Sequence, residues 1–306
     1  MRLAIKILIG IILLGMLYYL AGFANLAHEL SKIQIGFLPI ILFWFFASIA
    51  LNALNIYVTA RPIRKIPLRR MIQYFLYSWA AGFFGLGKVG ELSIIYWLKK
   101  ENLSTGEASA IALMDKFITF FTVVLLSTIG IWVFGLANVW QTALIAVGLL
   151  AISWLLLFSS FGRRLIRKIL KNQSNRFAGF GSTVELYVKK YPGTLLLDIL
   201  LTLGRWIALV LFVAALFASL GFPVSEIALL FVSSITTLIS FIPISFNGLG
   251  VREAAFTVLA GNLNWPLATT LSVLTISLAL SYAFLLVVLV LFAGELRTMG
   301  KKAFFK

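Results

Sequence analysis

Four long uncharged apolar runs, at residues 7–24, 33–60, 117–162 and 254–294, set the pattern of the chain. A membrane-spanning helix needs roughly 20 such residues, so the longer runs each hold at least one crossing and little chain is left for a water-soluble domain. The spacing predicts a first helix over 7–24 and a second over 37–60, closed by Pro62 and Pro67. Ser104 followed by Glu107 three residues on is a capping box, starting a helix that runs to about 136. An outer turn at 138–141 leads into 142–161, and a further helix at 195–220 ends at Gly221-Phe222-Pro223. The last helix covers 267–294. Polar residues recur on one face of three of these helices: Ser48, Asn52, Asn55 and Thr59; Asp115, Thr119 and Thr122; Asp198, Thr202 and Arg205. Such stripes face protein or water rather than lipid.

Two apolar segments are interrupted by glycines. Pro243-Ile244-Ser245-Phe246-Asn247-Gly248-Leu249-Gly250-Val251-Arg252-Glu253 breaks one, and Gly85-Leu86-Gly87-Lys88-Val89-Gly90-Glu91 breaks the other. If 71–87 crossed the membrane, Lys99 and Lys100 would lie outside and every later orientation would invert. A hairpin avoids this, with 71–85 entering and 92–98 returning. A return arm of about eleven residues rises only about 16 Å as helix, half a bilayer. Re-entrant backbone is tolerated where protein or a cavity surrounds it. The second hairpin enters over 227–247, breaks at 248–250 and returns to about 261. The expected fold is therefore an all-α polytopic membrane protein, with six transmembrane helices and two re-entrant hairpins in an inverted repeat. It forms a single transmembrane domain, 1–306, with halves of about 1–136 and 137–306. Broken segments at corresponding places in inverted halves point to a substrate site where they meet.

Composition agrees with the pattern: the chain is 61% hydrophobic and 12% charged, with a mean hydropathy of +1.04. A soluble domain is roughly 45–50% apolar. The net charge of +16 does not indicate nucleic acid, because the cations fill loops that alternate with the apolar runs and no recognition module is present. The excess of Lys and Arg in alternate loops is the positive-inside pattern. It places Lys65, Lys99, Lys171 and Lys302 inside with both termini, and Lys32, Asn138 and Asn264 outside, in a multi-pass protein of the cell inner membrane. Arg2 and Lys6 precede the first run without a cleavage site, so that run is expected to stay as a helix.

Catalytic chemistry finds little support. The chain has no cysteine, which excludes disulfides, iron–sulfur clusters and thiol catalysis. His28 is the single histidine, in an expected outer loop. No zinc-protease, phosphate-loop or nucleophile-elbow motif is present. An intramembrane aspartyl protease would need its two aspartates within reach, and neither Asp115 nor Asp198 sits in a glycine-flanked motif. The expectation is a transporter-like protein with no cofactor and no metal.

Eight ionisable residues remain at membrane depth: Lys88, Glu91, Asp115, Lys116, Asp198, Arg205, Arg252 and Glu253. Each costs roughly 2.5–3.5 kcal/mol at a helix centre, so each needs a partner or water. A structural reading pairs Asp198 with Arg205 and lets Glu91 and Glu253 hold cations across the repeat interface. Arg252 and Glu253, being adjacent, are not expected to face each other. A functional reading has Lys88 and Arg252 bind one anionic group, with Arg as a bidentate fork and Lys as a point charge. Gly87, Gly90, Gly248 and Gly250 would allow close backbone approach.

Lys88-Val89-Gly90-Glu91, Asp115-Lys116 and Gly248-Leu249-Gly250-Val251-Arg252-Glu253 resemble the flippase-like transmembrane region of lysylphosphatidylglycerol synthases and their free-standing relatives. The resemblance covers most of the chain. It implies a bundle with two re-entrant segments that moves a lipid or lipid-linked headgroup between leaflets. The expected ligand is an anionic phospholipid or polyprenyl-phosphate-type lipid, and a homo-oligomer or a lipid-modifying enzyme is a possible partner. Where that family commonly has Asp-Arg, this chain has Asp115-Lys116, a point charge in place of a planar fork. The soluble aminoacyl-transferring domain is absent, so aminoacyl-lipid synthesis by this chain alone is not expected. Two other functions fit the same pattern: a non-transporting lipid-binding membrane subunit and an ion-coupled small-solute transporter.

Overall fold

The computed structural model describes residues 3–84, 87–159, 179–242 and 244–294, and these form helices joined by short turns, with no strand among them. The helices are α1 (Leu3–Ala21), α2 (Phe23–Ser31), α3 (Leu38–Ala60), α4 (Leu68–Phe84), α5 (Ile94–Lys99), α6 (Thr105–Val133), α7 (Val139–Phe158), α8 (Phe180–Lys190), α9 (Pro192–Ser219), α10 (Glu226–Ser240), α11 (Val251–Asn262) and α12 (Leu267–Leu291). Pro243 and Gly85-Leu86 in the two breaks, most of the long basic loop with Lys171, and the tail with Lys302 lie outside the described residues.

Four of these segments are long and apolar enough to cross a membrane: Ile35–Ala60, Thr105–Val133, Pro192–Ser219 and Leu267–Leu291. A fifth arises if Ile5–Ala21 and Phe23–Ser31, which meet at 78°, count as one span. Large apolar side chains lie exposed around the bundle, among them Ile11, Leu144, Val147 and Val290. A surface of this kind is expected of helices that face hydrocarbon. The chain is thus an all-helical, multi-pass membrane protein.

Three helical features differ from the sequence expectation. The first helix stops at Ala21, because Gly22 takes φ +79 and turns the chain into α2. His28 and Glu29, expected in a loop, lie on that short helix, where Glu29 accepts hydrogen bonds from Lys32 at 2.5 Å and Thr269 at 3.0 Å. The end of the basic loop is also helical: α8 buries Thr183, Val184 and Tyr187 and leaves Lys189 on its outer side. The turn after α6 comes earlier than expected, since Asn138 caps α7 by accepting from the Trp140 N–H at 2.9 Å. The capping box at Ser104 and Glu107 is present as the sequence indicates.

The segment 68–101 folds back on itself. Arg70, on the first turn of α4, donates to Glu101, just after α5, at 3.1 Å, and the Tyr74 hydroxyl reaches the same carboxylate at 2.6 Å. Trp97 on α5 lies against Tyr74 and Tyr77 on α4, with ring centroids 5.7 and 4.5 Å apart. Both ends of the hairpin therefore lie at one level, joined through the 3₁₀ helix Gly87–Ser93. The second hairpin pairs α10 with α11. Its break is wider than three glycine-flanked positions: helix ends at Ser240 and resumes at Val251, with the 3₁₀ turn Phe246–Gly248 between. That turn packs against the 3₁₀ helix of the first hairpin, so the two breaks meet.

Two large apolar cores, beside a small one at Ala80, Leu285 and Val288, hold the described helices together. One gathers Phe45, Phe212, Leu216, Leu229, Val232 and Leu271 from α3, α9, α10 and α12. The other gathers Met71, Trp97, Leu98, Ile111 and Tyr187 from α4, α5, α6 and α8. The most extensive helix contact is between α3 and α9.

Candidate functional site

The second break is built by backbone geometry that few residues tolerate. Asn247, Gly248 and Gly250 have φ of +51, +75 and +77, in a region open to glycine and, among other residues, chiefly to Asn and Asp. Gly250 also lies against α1: a Cβ there would sit 2.5 Å from the Gly10 carbonyl oxygen. The turn sets up the start of α11, where the Glu253 carboxylate accepts the Gly250 N–H at 2.7 Å. A carboxylate at this place satisfies an unpaired N–H and complements the helix dipole.

Arg252 and Glu253 do face each other, contrary to expectation. The Arg252 Nε and a terminal nitrogen both donate to Glu253 Oε1, at 3.1 and 2.9 Å. Adjacent residues diverge in a helix interior, but on the first turn Glu253 bends back over the helix end and Arg252 reaches across the same end. The pair is asymmetric. The Glu253 side chain is 2% exposed and that of Arg252 is 46% exposed. Arg252 lines a small cleft with Phe83 from the first hairpin, Asn247 and Leu249 from the break, and Leu278, Ser281 and Tyr282 from α12. Its other terminal nitrogen has no hydrogen-bond partner among the described residues.

In the first hairpin, Gly90 is required by close approach rather than by φ. A Cβ there would sit 2.3 Å from the Ala81 carbonyl oxygen on α4. The 3₁₀ backbone carries Lys88, whose side chain lies outside the described part, and presents Glu91 to α6. Lys116 donates to Glu91 at 2.6 Å and lies 3.3 Å from Asp115. Asp115 is fully buried, whereas Lys116 and Glu91 keep about a quarter of their side chains exposed. One cation thus serves two carboxylates. The cations that Glu91 and Glu253 meet in these contacts, Lys116 and Arg252, come from nearby in the chain, not from the other break as expected from the sequence.

The polar stripe on α3 meets α9 in antiparallel register. Asn52 accepts from Arg205 at 3.0 Å, Asn55 donates to Thr202 at 2.8 Å, and Thr59 donates to Asp198 at 3.4 Å. A second Arg205 nitrogen donates to Thr119 on α6 at 3.1 Å. Ser48, at the end of the stripe, bonds back to Phe45 within its own helix. The expected ion pair of Asp198 with Arg205 is therefore not made. The guanidinium turns away to two neutral acceptors on neighbouring helices, tying three helices together. Interhelical polar contacts in membranes average about 0.6 kcal/mol, so this ladder sets register more than it adds stability.

The residues singled out from the sequence thus fall in three places, one of them the ladder that holds Asp198 and Arg205. Glu91, Asp115 and Lys116 come together on α6 and the first hairpin, while Arg252 and Glu253 stand at the cleft beside the second break. The contribution of Phe83, Leu278, Ser281 and Tyr282 was not anticipated. Ser281-Tyr282 is a polar pair inside the last apolar run and is the one signal that could have drawn notice. Among the described residues no group of three or more His, Cys, Asp or Glu is placed to hold a metal ion.

No curated protein and no solved structure matches the chain significantly. The model of the family described as the lysylphosphatidylglycerol synthase TM region matches residues 3–288, nearly the whole chain and both breaks, and the chain belongs to that family.

Proposed function

We propose that the chain is a lipid translocase of a cell inner membrane, which binds an anionic headgroup at the Arg252 cleft and moves it between leaflets. The observation that carries this reading is the state of Arg252. Its charge is balanced from below by a buried carboxylate, yet nearly half of its side chain is exposed in a cleft where the two hairpin turns meet. A phosphate approaching from the cleft meets free guanidinium donors, with Asn247, Ser281 and Tyr282 as further polar groups and Phe83, Leu249 and Leu278 as apolar wall. Arg suits a phosphate because its planar fork donates in parallel. The chemistry fits a phospholipid or a polyprenyl-phosphate-type lipid, whose tails stay in the bilayer.

The same reading includes six crossings, by α1, α3, α6, α7, α9 and α12, and two re-entrant hairpins, α4 with α5 and α10 with α11, in inverted halves with both termini cytoplasmic. The contact of Arg70 with Glu101 supports it for the first hairpin, as does α5, whose six residues rise only about 9 Å. Translocation on this account needs no cofactor and no covalent step. A homo-oligomer or a lipid-modifying enzyme is compatible with it.

Mass spectrometry of lipid retained by the purified protein tests the site. Removing a charged hydrogen-bond donor costs about 1.5–3 kcal/mol, roughly a ten- to hundredfold loss of affinity. Arg252→Ala should lose retained anionic lipid to that extent, and Arg205→Ala should keep it. Equal small losses in both would reduce Arg252 to a structural residue.

A further inference from the structure

The polar interface of α3, α6 and α9 holds an acid that makes no ion pair among the described residues. Asp198 is fully buried. Its Oδ2 receives one long bond, from Thr59 at 3.4 Å, and its Oδ1 has no partner among the described residues. Each cation nearby is committed elsewhere. Arg205, two turns along α9, donates to Asn52 and Thr119, and Lys116 on α6 holds Glu91 and Asp115. The Tyr187 hydroxyl on α8 donates to the Thr59 carbonyl. Asp115, equally buried, lies on α6, which packs against α9.

A second observation concerns a neutral group. Asn55, one turn from Thr59 on α3, is fully buried; it donates to Thr202, yet its Oδ1 has no donor. Two buried oxygens of the interface, Asp198 Oδ1 and Asn55 Oδ1, therefore lack a donor. An ionised carboxylate adds acceptors only, whereas a carboxylic acid brings its own O–H donor. Two carboxylates buried in one such interface also do not readily ionise together.

We propose that Asp198 is a proton-binding site. In the described conformation the acid carries the proton, and Arg205 is free to bind Asn52 and Thr119. When the proton leaves to water, the new negative charge draws Arg205, seven residues further on the same face, away from those two acceptors. That exchange breaks the polar links of α9 to Asn52 on α3 and to Thr119 on α6, and it involves no covalent or redox change. Proton uptake restores them. The protonation switch is a property of the interface. That it drives lipid movement rests on the translocation reading above.

Infrared difference spectroscopy of the protein in lipid nanodiscs, in D₂O, reads the proton directly. A protonated-carboxyl C=O band is expected at neutral pH, lost in Asp198→Asn and kept in Glu226→Gln, a change at the exposed start of α10. Absence of the band in the unaltered protein overturns the proposal without any variant, and so does a band that Asp198→Asn leaves intact. In vesicles, an imposed pH gradient should speed movement of labelled anionic lipid several-fold in the unaltered protein and leave Asp198→Asn unresponsive. The expected band without any lipid movement upholds the proton site and defeats the translocase reading. Lipid movement without the band does the reverse.

Discussion

Replacing Gly90 by alanine tests whether the first hairpin closes as tightly as its geometry requires. The added Cβ would lie 2.3 Å from the Ala81 oxygen and 2.8 Å from both the Ala81 carbon and the Gly82 Cα. Carbon–oxygen contacts settle near 3.3–3.6 Å, so α4 and the 3₁₀ return must separate by about 1 Å. All three obstructing atoms are backbone, and no side-chain rotation relieves the clash. Forcing a methyl into a packed interface costs typically about 1–3 kcal/mol. Phe83, two residues beyond the pinch on α4, lines the Arg252 cleft, so loss of lipid retention should accompany the loss of stability. Unfolding in mixed detergent–SDS micelles, followed by tryptophan fluorescence, measures the effect. Gly148→Ala on α7 is the control: nothing lies within 4 Å of its added Cβ, and alanine gains up to about 1 kcal/mol over glycine in a helix interior. If Gly90→Ala unfolds at the same free energy as the unaltered protein, the close approach is not part of the native fold and the reasoning fails.

Lys116→Met should destabilise the protein towards the lower end of about 3–5 kcal/mol, the usual penalty for stranding one side of a buried ion pair, because Lys116 and Glu91 retain some exposure. Adding Asp115→Asn should recover part of that loss in the same unfolding assay. Single cysteines at positions 65 and 99 should be labelled from one side of the membrane and cysteines at 138 and 264 from the other. Labelling of position 99 opposite to 65 would turn the first hairpin into a crossing. A double-mutant cycle of Lys88→Ala and Arg252→Ala on lipid binding should be non-additive by about 0.5–3 kcal/mol, as for residues in one network. Strict additivity would assign the two cations to separate sites.

The sequence made the architecture legible where local chemistry is strong. Ser104 and Glu107 marked the start of α6 because a capping box satisfies two N–H groups at once, and the stripe of Asn52, Asn55 and Thr59 pointed to a polar helix contact without naming α9 as its partner. The glycines led to both breaks and to Arg252. Short surface helices escaped notice for a physical reason. Segments such as Phe23–Ser31 and Phe180–Lys190 mix polar and apolar residues on opposite faces, so they read as loops beside runs of pure hydrocarbon. Contacts of the charged groups were harder still. Arg205 was within reach of Asp198 by spacing, but Asn52 and Thr119 on neighbouring helices offered it two acceptors that no single-helix projection contains. Arg252 and Glu253 meet because the first turn of α11 follows capping geometry rather than the geometry of a helix interior, and the wall of the cleft comes from α4 and α12, far away in the chain.

Movement of a labelled anionic phospholipid across vesicles that contain the purified protein tests the central claim most directly. Vesicles with the unaltered protein should expose the label to an external quencher well beyond protein-free vesicles, and Arg252→Ala should fall close to the protein-free level while Gly148→Ala, whose added Cβ meets nothing within 4 Å, retains transport. Quenching by the unaltered protein no greater than that of empty vesicles, with lipid still bound at the Arg252 cleft, would contradict translocation and leave a membrane subunit that only holds lipid.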